Sequence, residues 1–183
     1  NDHNYFEIAH SVKRLLGICG DTRLYTFVDN HDVERIYSKV NNKEHLYNIY
    51  ILLYTLYGIP SIYYGSEFAI EGKKESGSDW NDFKDAYENN AITKLCIQLG
   101  KLKKDYTELS AGGYEELLLT NRQFAYSRNY NGKVIVIALN NDDNETELTI
   151  NPHVACNEAK IMTEVLKIKM RAWTVELKTE MSL

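Results

Sequence analysis

The chain has 183 residues, a length for one or two domains at ~150 residues each and short of the ~250 that a complete eight-stranded α/β barrel takes. Hydrophobic residues make up 44% and charged residues 26%, which excludes wholesale disorder. The 21 Lys and Arg against 26 Asp and Glu give a net charge of −5, with no basic run to follow a phosphate backbone, so no nucleic-acid partner is expected.

Tyr5, Phe6, Ile8, Ala9, Val12, Leu15 and Leu16 recur at helical spacing and predict an amphipathic helix ending near Gly17 or Gly20. Leu24 to Val28 reads as a short strand that runs directly into Asp29-Asn30-His31-Asp32. Asn41 is a candidate N-cap with Glu44 three residues on, opening a helix whose apolar side carries Leu46, Ile49, Tyr50, Leu53, Leu56 and Tyr57. Gly58 and Pro60 stop it, and Ser61 to Tyr64 reads as a second apolar strand closed by Gly65. A polar loop covers residues 66–90, and a third helix carries Ile92, Leu95, Cys96, Leu99, Leu102 and Tyr106. Strands alternating with helices argue for parallel pairing.

The composition shifts after Leu109, and Ala111-Gly112-Gly113 suggests a turn. Short strand patterns follow at 116–119, 123–129, 133–139, 145–150, 160–167 and 171–178, with the hairpin dipeptide Asn131-Gly132 between the second and third. The expected fold is therefore α/β followed by an all-β part, a small antiparallel β-sandwich, with units at 1–109 and 110–183.

Cys19, Cys96 and Cys156 are odd in number and far apart, without a Cys-x-x-Cys, so buried free thiols are expected rather than a zinc site or a disulfide framework. The most apolar stretch, Ile49 to Tyr64, is shorter than the ~18 to 20 residues of a membrane helix and is interrupted by Gly58-Ile59-Pro60, so no membrane span is expected. The chain opens at Asn1 without a secretory signal, and an upstream segment is expected. Tyr is over-used, 14 against Phe 5 and Trp 2; its flat face and hydroxyl suit half-wet surfaces and sugar rings as well as ordinary core edges.

Two stretches could carry chemistry. At Thr26-Phe27-Val28-Asp29-Asn30-His31-Asp32 a strand hands over to two carboxylates, an amide and an imidazole, at the strand end where parallel α/β folds place active sites. A turn that merely caps the next element would also use these residues. So would a His-Asp metal site, which would need further ligands on neighbouring helices; His3 and His10 lie seven apart. Gly58-Ile59-Pro60-Ser61-Ile62-Tyr63-Tyr64-Gly65-Ser66-Glu67 is a helix stop, a strand and a tight exit before an acid.

Together the two stretches resemble glycoside hydrolase family 13, the α-amylase family. F-V-D-N-H-D at 27–32 is similar to the motif that ends its seventh barrel strand, and G-I-P-S-I-Y-Y-G-S-E at 58–67 to its eighth-strand motif, usually G-x-P-x-I-Y-Y-G-D-E. The resemblance implies the last two βα units of a (β/α)8 barrel plus the C-terminal β domain. It implies a retaining α-glucosidic-bond hydrolase or transglycosylase acting on starch-like or maltodextrin oligosaccharides. Asp32 then matches the carboxylate that stabilises the transition state, and His31 the neighbouring sugar-binding imidazole. Asn30, Arg35, Tyr64 and Asp79 are further substrate-binding candidates: Asn30 and Asp29 support the motif, Arg35 either orients a carboxylate or lies on the surface, and Asp79 lies in a loop that often lines the sugar cleft. Ser66 stands where the family usually has Asp. The nucleophile, the acid and the calcium ligands of the family belong to upstream strands, so no metal or cofactor is assigned to this chain. Its expected partners are an α-glucan substrate and the upstream part of the same barrel; a non-catalytic relative that keeps the barrel for binding or assembly is the alternative.

Overall fold

The computed structural model describes residues 4–20, 22–72, 90–153, 158–164 and 172–178. The first helix, α1 (Tyr5–Cys19), begins at an N-cap where Asn4 Oδ1 accepts from Phe6 N at 2.8 Å, and it ends at Gly20, whose φ of 52° is the left-handed conformation that glycine adopts without penalty. Strand β1 (Tyr25–Thr26) follows, then a loop, the single-turn α2 (Ile36–Lys39), α3 (His45–Thr55) and β2 (Ile59–Pro60). β1 and β2 pair in parallel, Tyr25 opposite Ile59 and Thr26 opposite Pro60. This is a βαβ unit, with α3 as its crossover helix.

Both strands differ from the expected ranges. β1 is shorter than 24–28, and β2 falls at 59–60 rather than 61–64. The ladder explains how Pro60 can belong to it: Ile59 N donates to Leu24 O and Ser61 N to Thr26 O, so alternate residues carry the bonds to β1. The missing N–H of Pro60 falls on the side away from β1, so the β1–β2 ladder loses no bond. Gly58 is required just before, since a Cβ there would sit 2.7 Å from Thr26 Cγ2 and 2.9 Å from Leu24 O, at a φ of 125°. Asn41 does not cap α3: the helix begins at His45 after Glu44, which makes no side-chain cap bond, and Asn42 Oδ1 accepts from Glu44 N at 3.0 Å in the turn before it.

After β2 come a short 3-10 turn at Ser66–Phe68 and then α4 (Ala91–Asp105), capped by Asn90, whose Oδ1 accepts from Ile92 N and whose Nδ2 donates to Phe68 O. One further helical turn, α5 (Thr107–Ala111), spans the position where the sequence suggests a boundary; its Leu109 is buried, 1% exposed. Then β3 (Gly113–Leu119), β4 (Gln123–Tyr130), β5 (Lys133–Asn140), β6 (Glu158–Glu164) and β7 (Ala172–Lys178) form one antiparallel sheet in the order β3-β4-β5-β7-β6. Asn131 and Gly132, with φ of 50° and 78°, make the two-residue turn between β4 and β5.

The described residues thus hold one sheet in the all-β part, not the two faced sheets of the expected sandwich. No strand occurs at 145–150: β5 already pairs with β4 on one side and β7 on the other, so that segment finds no central edge to join. It lies instead over the outer sheet face, where Ile150 packs on Val134 and Val136 with Leu117. The inner face, through Phe124, Tyr126, Ile135, Ile137 and Leu139, shares one core with Tyr5, Leu46, Tyr50, Leu95 and Leu99 of the helices.

The Tyr surplus serves that core. Tyr5, Tyr50 and Tyr126 are almost fully buried, and each hydroxyl is bonded. Asn48 Nδ2 donates to Tyr5, Tyr50 donates to Ser66 O at 2.8 Å, and Tyr126 shares a bond with Thr55 Oγ1. Rings of Tyr5, Phe124, Tyr126 and Tyr114 succeed one another at 5.0 to 5.6 Å. Cys19 and Cys96 are free; burial pushes the Cys96 thiol up to about 12, and Cys156 lies outside the described residues.

Candidate active site

Because β1 and β2 run parallel, the loops that leave their C-terminal ends emerge at one end of the sheet. The first, residues 29–35, carries His31 and Asp32; the second begins at Ser61. Asn30 shapes the tip of the first as an Asx turn, with Oδ1 accepting from Asp32 N at 2.8 Å. His31 Nε2 and Asp32 Oδ2 are 3.3 Å apart, and their side chains are 75% and 62% exposed. An exposed imidazole beside an exposed carboxylate presents a donor and strong acceptors to a hydroxylated ligand; an ionised acceptor makes hydrogen bonds about twice as strong as a neutral one.

The neck of this loop is buried. Asp29 is 1% exposed, and its Oδ2 accepts from Ile36 N at 2.8 Å and from Ser66 Oγ at 2.7 Å. Arg35 is also 1% exposed, which settles its placement against the surface. Its Nη1 donates to Tyr64 O at 2.9 Å and to Ser66 Oγ at 3.3 Å, and its guanidinium lies 4.9 Å and 5.4 Å from the ring centres of Tyr63 and Tyr64. Arg35 N also donates to Gly72 O. Arg35 is thus a buried tie between the two motif loops, held by backbone and ring faces, while Tyr64 keeps 39% of its surface exposed beside it. Asp79 lies outside the described residues.

Ser66, marked in the sequence only as a departure from the family's usual Asp, is 1% exposed and joins both motifs; a polar side chain directly after the left-handed Gly65 was the available signal. Among the described residues no group of three or more His, Cys, Asp and Glu side chains converges to hold a metal ion, and no helix is long and apolar enough to cross a membrane.

A parallel βαβ unit with a polar, exposed carboxylate loop at its strand ends is an α/β type of site. Residues 3–101 match the α-amylase catalytic domain, more than half of the chain, and the chain belongs to the α-amylase family. It is 26% identical over 151 residues to a cyclomaltodextrinase of Thermoanaerobacter pseudethanolicus, covering 80% of this chain and 25% of that protein. It is 31% identical over 145 residues to a cyclomaltodextrin glucanotransferase of a Bacillus species, covering 77% and 20%. The chain therefore spans a quarter or less of the length of these relatives. Its fold superimposes on an Anoxybacillus α-amylase with a TM-score of 0.81 at 22% identity, over 100% of this chain and 44% of that one. A debranching enzyme of Nostoc punctiforme gives 0.72 at 20% identity, over 94% and 36%.

Proposed function

We propose that the chain is the C-terminal portion of a retaining α-glucosidic-bond hydrolase or transglycosylase acting on starch-like or maltodextrin oligosaccharides. Residues 1–109 are then the last two βα units of its barrel, and residues from 110 its C-terminal β domain. The observation that carries this is the convergence of the two motif loops at one end of the β1–β2 pair, with His31 and Asp32 outward and Asp29, Ser66 and Arg35 locked beneath. The relatives named as acting on cyclomaltodextrins support the substrate class.

In this reading Asp32 accepts hydrogen bonds from sugar hydroxyls that shorten as the ring flattens toward an oxocarbenium ion, so it stabilises the transition state more than the bound substrate. His31 binds the same sugar, and Tyr64 offers ring surface at the site's edge. The nucleophile and the proton donor come from upstream strands, as do the ligands of any calcium ion.

The test is Asp32→Asn in the enzyme that contains this chain. Replacing the carboxylate by an amide should lower kcat by at least about 100-fold, the scale of losing one preorganised transition-state contact, with KM changing only a few-fold. Turnover near wild type would overturn the assignment.

A further inference from the structure

We infer that Ser66 is a positioning residue, which acts on the reaction by closing the neck of the loop that presents His31 and Asp32. The inference rests on the reading of Asp32 given above. The loop begins at Asp29, three residues past β1, and enters α2 after Arg35, and Ser66 Oγ lies within hydrogen-bond distance of both ends: it donates to Asp29 Oδ2 at 2.7 Å and accepts from Arg35 Nη1 at 3.3 Å. A hydroxyl has one proton to donate and lone pairs to accept, so it can serve both ends at once. A carboxylate at this position, as in the family's usual Gly-Asp-Glu, could accept from Arg35 but, when ionised, has no proton to offer Asp29.

Ser66 is itself fixed from three further directions. Its backbone N donates to Tyr63 O, and its carbonyl accepts from Tyr50 Oη at 2.8 Å and from Ala69 N. Tyr50 belongs to the α3 core face and is 0% exposed. The helix core, the β2 exit and the catalytic loop therefore meet at one residue. His31 and Asp32 stand at the exposed tip of the loop whose two ends Ser66 joins, so the way the neck is closed sets where they stand. Loosening it moves Asp32 relative to a sugar bound elsewhere, which costs transition-state contacts before it costs binding; misplacement on the scale of an ångström can cost about 100-fold in rate.

The experiment is a double-mutant cycle in the full-length enzyme: Ser66→Ala, Asp32→Asn and the pair, assayed for kcat and KM on an aryl α-maltoside with a good leaving group, so that the residual turnover of Asp32→Asn is measurable. Thermal unfolding is followed in parallel. Ser66→Ala should lower kcat between about 10- and 100-fold, leave KM within about two-fold, and cost no further kcat in the Asp32→Asn background. A hydroxyl that only supports the fold would lower kcat by the same factor in both backgrounds, and that result, or an unchanged kcat in Ser66→Ala, overturns the inference while leaving the role of Asp32 standing. If Asp32→Asn itself turns over at the wild-type rate, the functional reading fails and the positioning role falls with it.

Discussion

At the scale of single residues, burial separates two kinds of polar group around the site. His31 and Asp32 are exposed, while Asp29, Arg35 and Ser66 are buried and hydrogen-bonded. In the proposed enzyme, substitutions of the first kind act on the ligand and leave the fold alone: the Asp32→Asn protein should keep its unfolding free energy within about 0.5 kcal/mol, because an exposed side chain gives up no packing. A large drop in melting temperature would mean that its lost turnover reports unfolding. The motif letters around Asp29 to Asp32 were readable from order and spacing. Their division into outward and buried groups was not, since the bonds that decide it cross 37 residues from Asp29 to Ser66 and 29 from Arg35 to Tyr64.

At the scale of elements, buried cations join the helices to the sheet. Arg128 on β4 is 0% exposed and donates to three carbonyls: Thr55 O at 2.8 Å, Gly112 O at 2.7 Å and Gly113 O at 3.2 Å. Thr55 ends α3 and Gly112 follows α5, so the charge sits where helix C-termini leave unsatisfied carbonyls and negative dipole ends. Arg128→Leu removes all three bonds, and each orphaned buried carbonyl costs about 1 to 3 kcal/mol, so urea unfolding should show a loss of at least about 3 kcal/mol. A loss under about 1 kcal/mol would show that water reaches these carbonyls.

Lys103 on α4 ties helix to helix instead, donating to Leu56 O after α3 at 3.0 Å and to Leu109 O of α5 at 3.1 Å. Its burial, with Arg128 and Arg23 nearby, lowers its pKa from 10.5 to about 8. The folded chain therefore releases this proton earlier than the unfolded chain. Between about pH 8 and 10.5 the unfolded state binds more protons, and the contribution of Lys103 to stability rises with pH; below that window both states are charged and the contribution is flat. Tyr side chains held neutral by burial oppose this above pH 10, so the readout is a difference. The unfolding free energy of the wild type, minus that of Lys103→Met, should increase from pH 8 to pH 10. A constant difference would contradict the depressed pKa.

At the scale of the whole molecule, the β1–β2 pair leaves apolar surface open. Tyr25, Phe27 and Ile59 are 67%, 48% and 49% exposed, while Thr26 and Val28, on the opposite face, turn toward the helices. An apolar groove of about 280 Å³ runs between α1 and the α3–β1 surface, lined by Ile8, Val12, Leu15, Phe27, Leu52 and Leu53. A barrel that continues upstream would cover both, and two strands alone cannot close one. The 183-residue chain on its own should therefore not turn over maltodextrin, since it carries Asp32 without the nucleophile and acid of the proposed enzyme. Measurable glucan release by the purified chain would show an acid–base pair within it and would break the assignment of those roles to upstream strands.

Local interactions made much of this molecule legible as a string of residues. Helices α1 and α4 announce themselves because apolar residues three and four apart share a face, and their Asn caps bond within two residues. The Asn131-Gly132 hairpin is equally local, since it needs only two residues that tolerate positive φ. Strand limits, the inclusion of Pro60 in a ladder, the extra turn of α5 and the lack of a strand at 145–150 depend on which neighbour offers a free edge or an open pocket. The hydroxyl partners of the buried tyrosines and the meeting of both loop ends at Ser66 depend on the same thing. Those facts belong to pairs of residues far apart in the chain, and only folding brings such pairs within the roughly 3 Å at which a hydrogen bond exists.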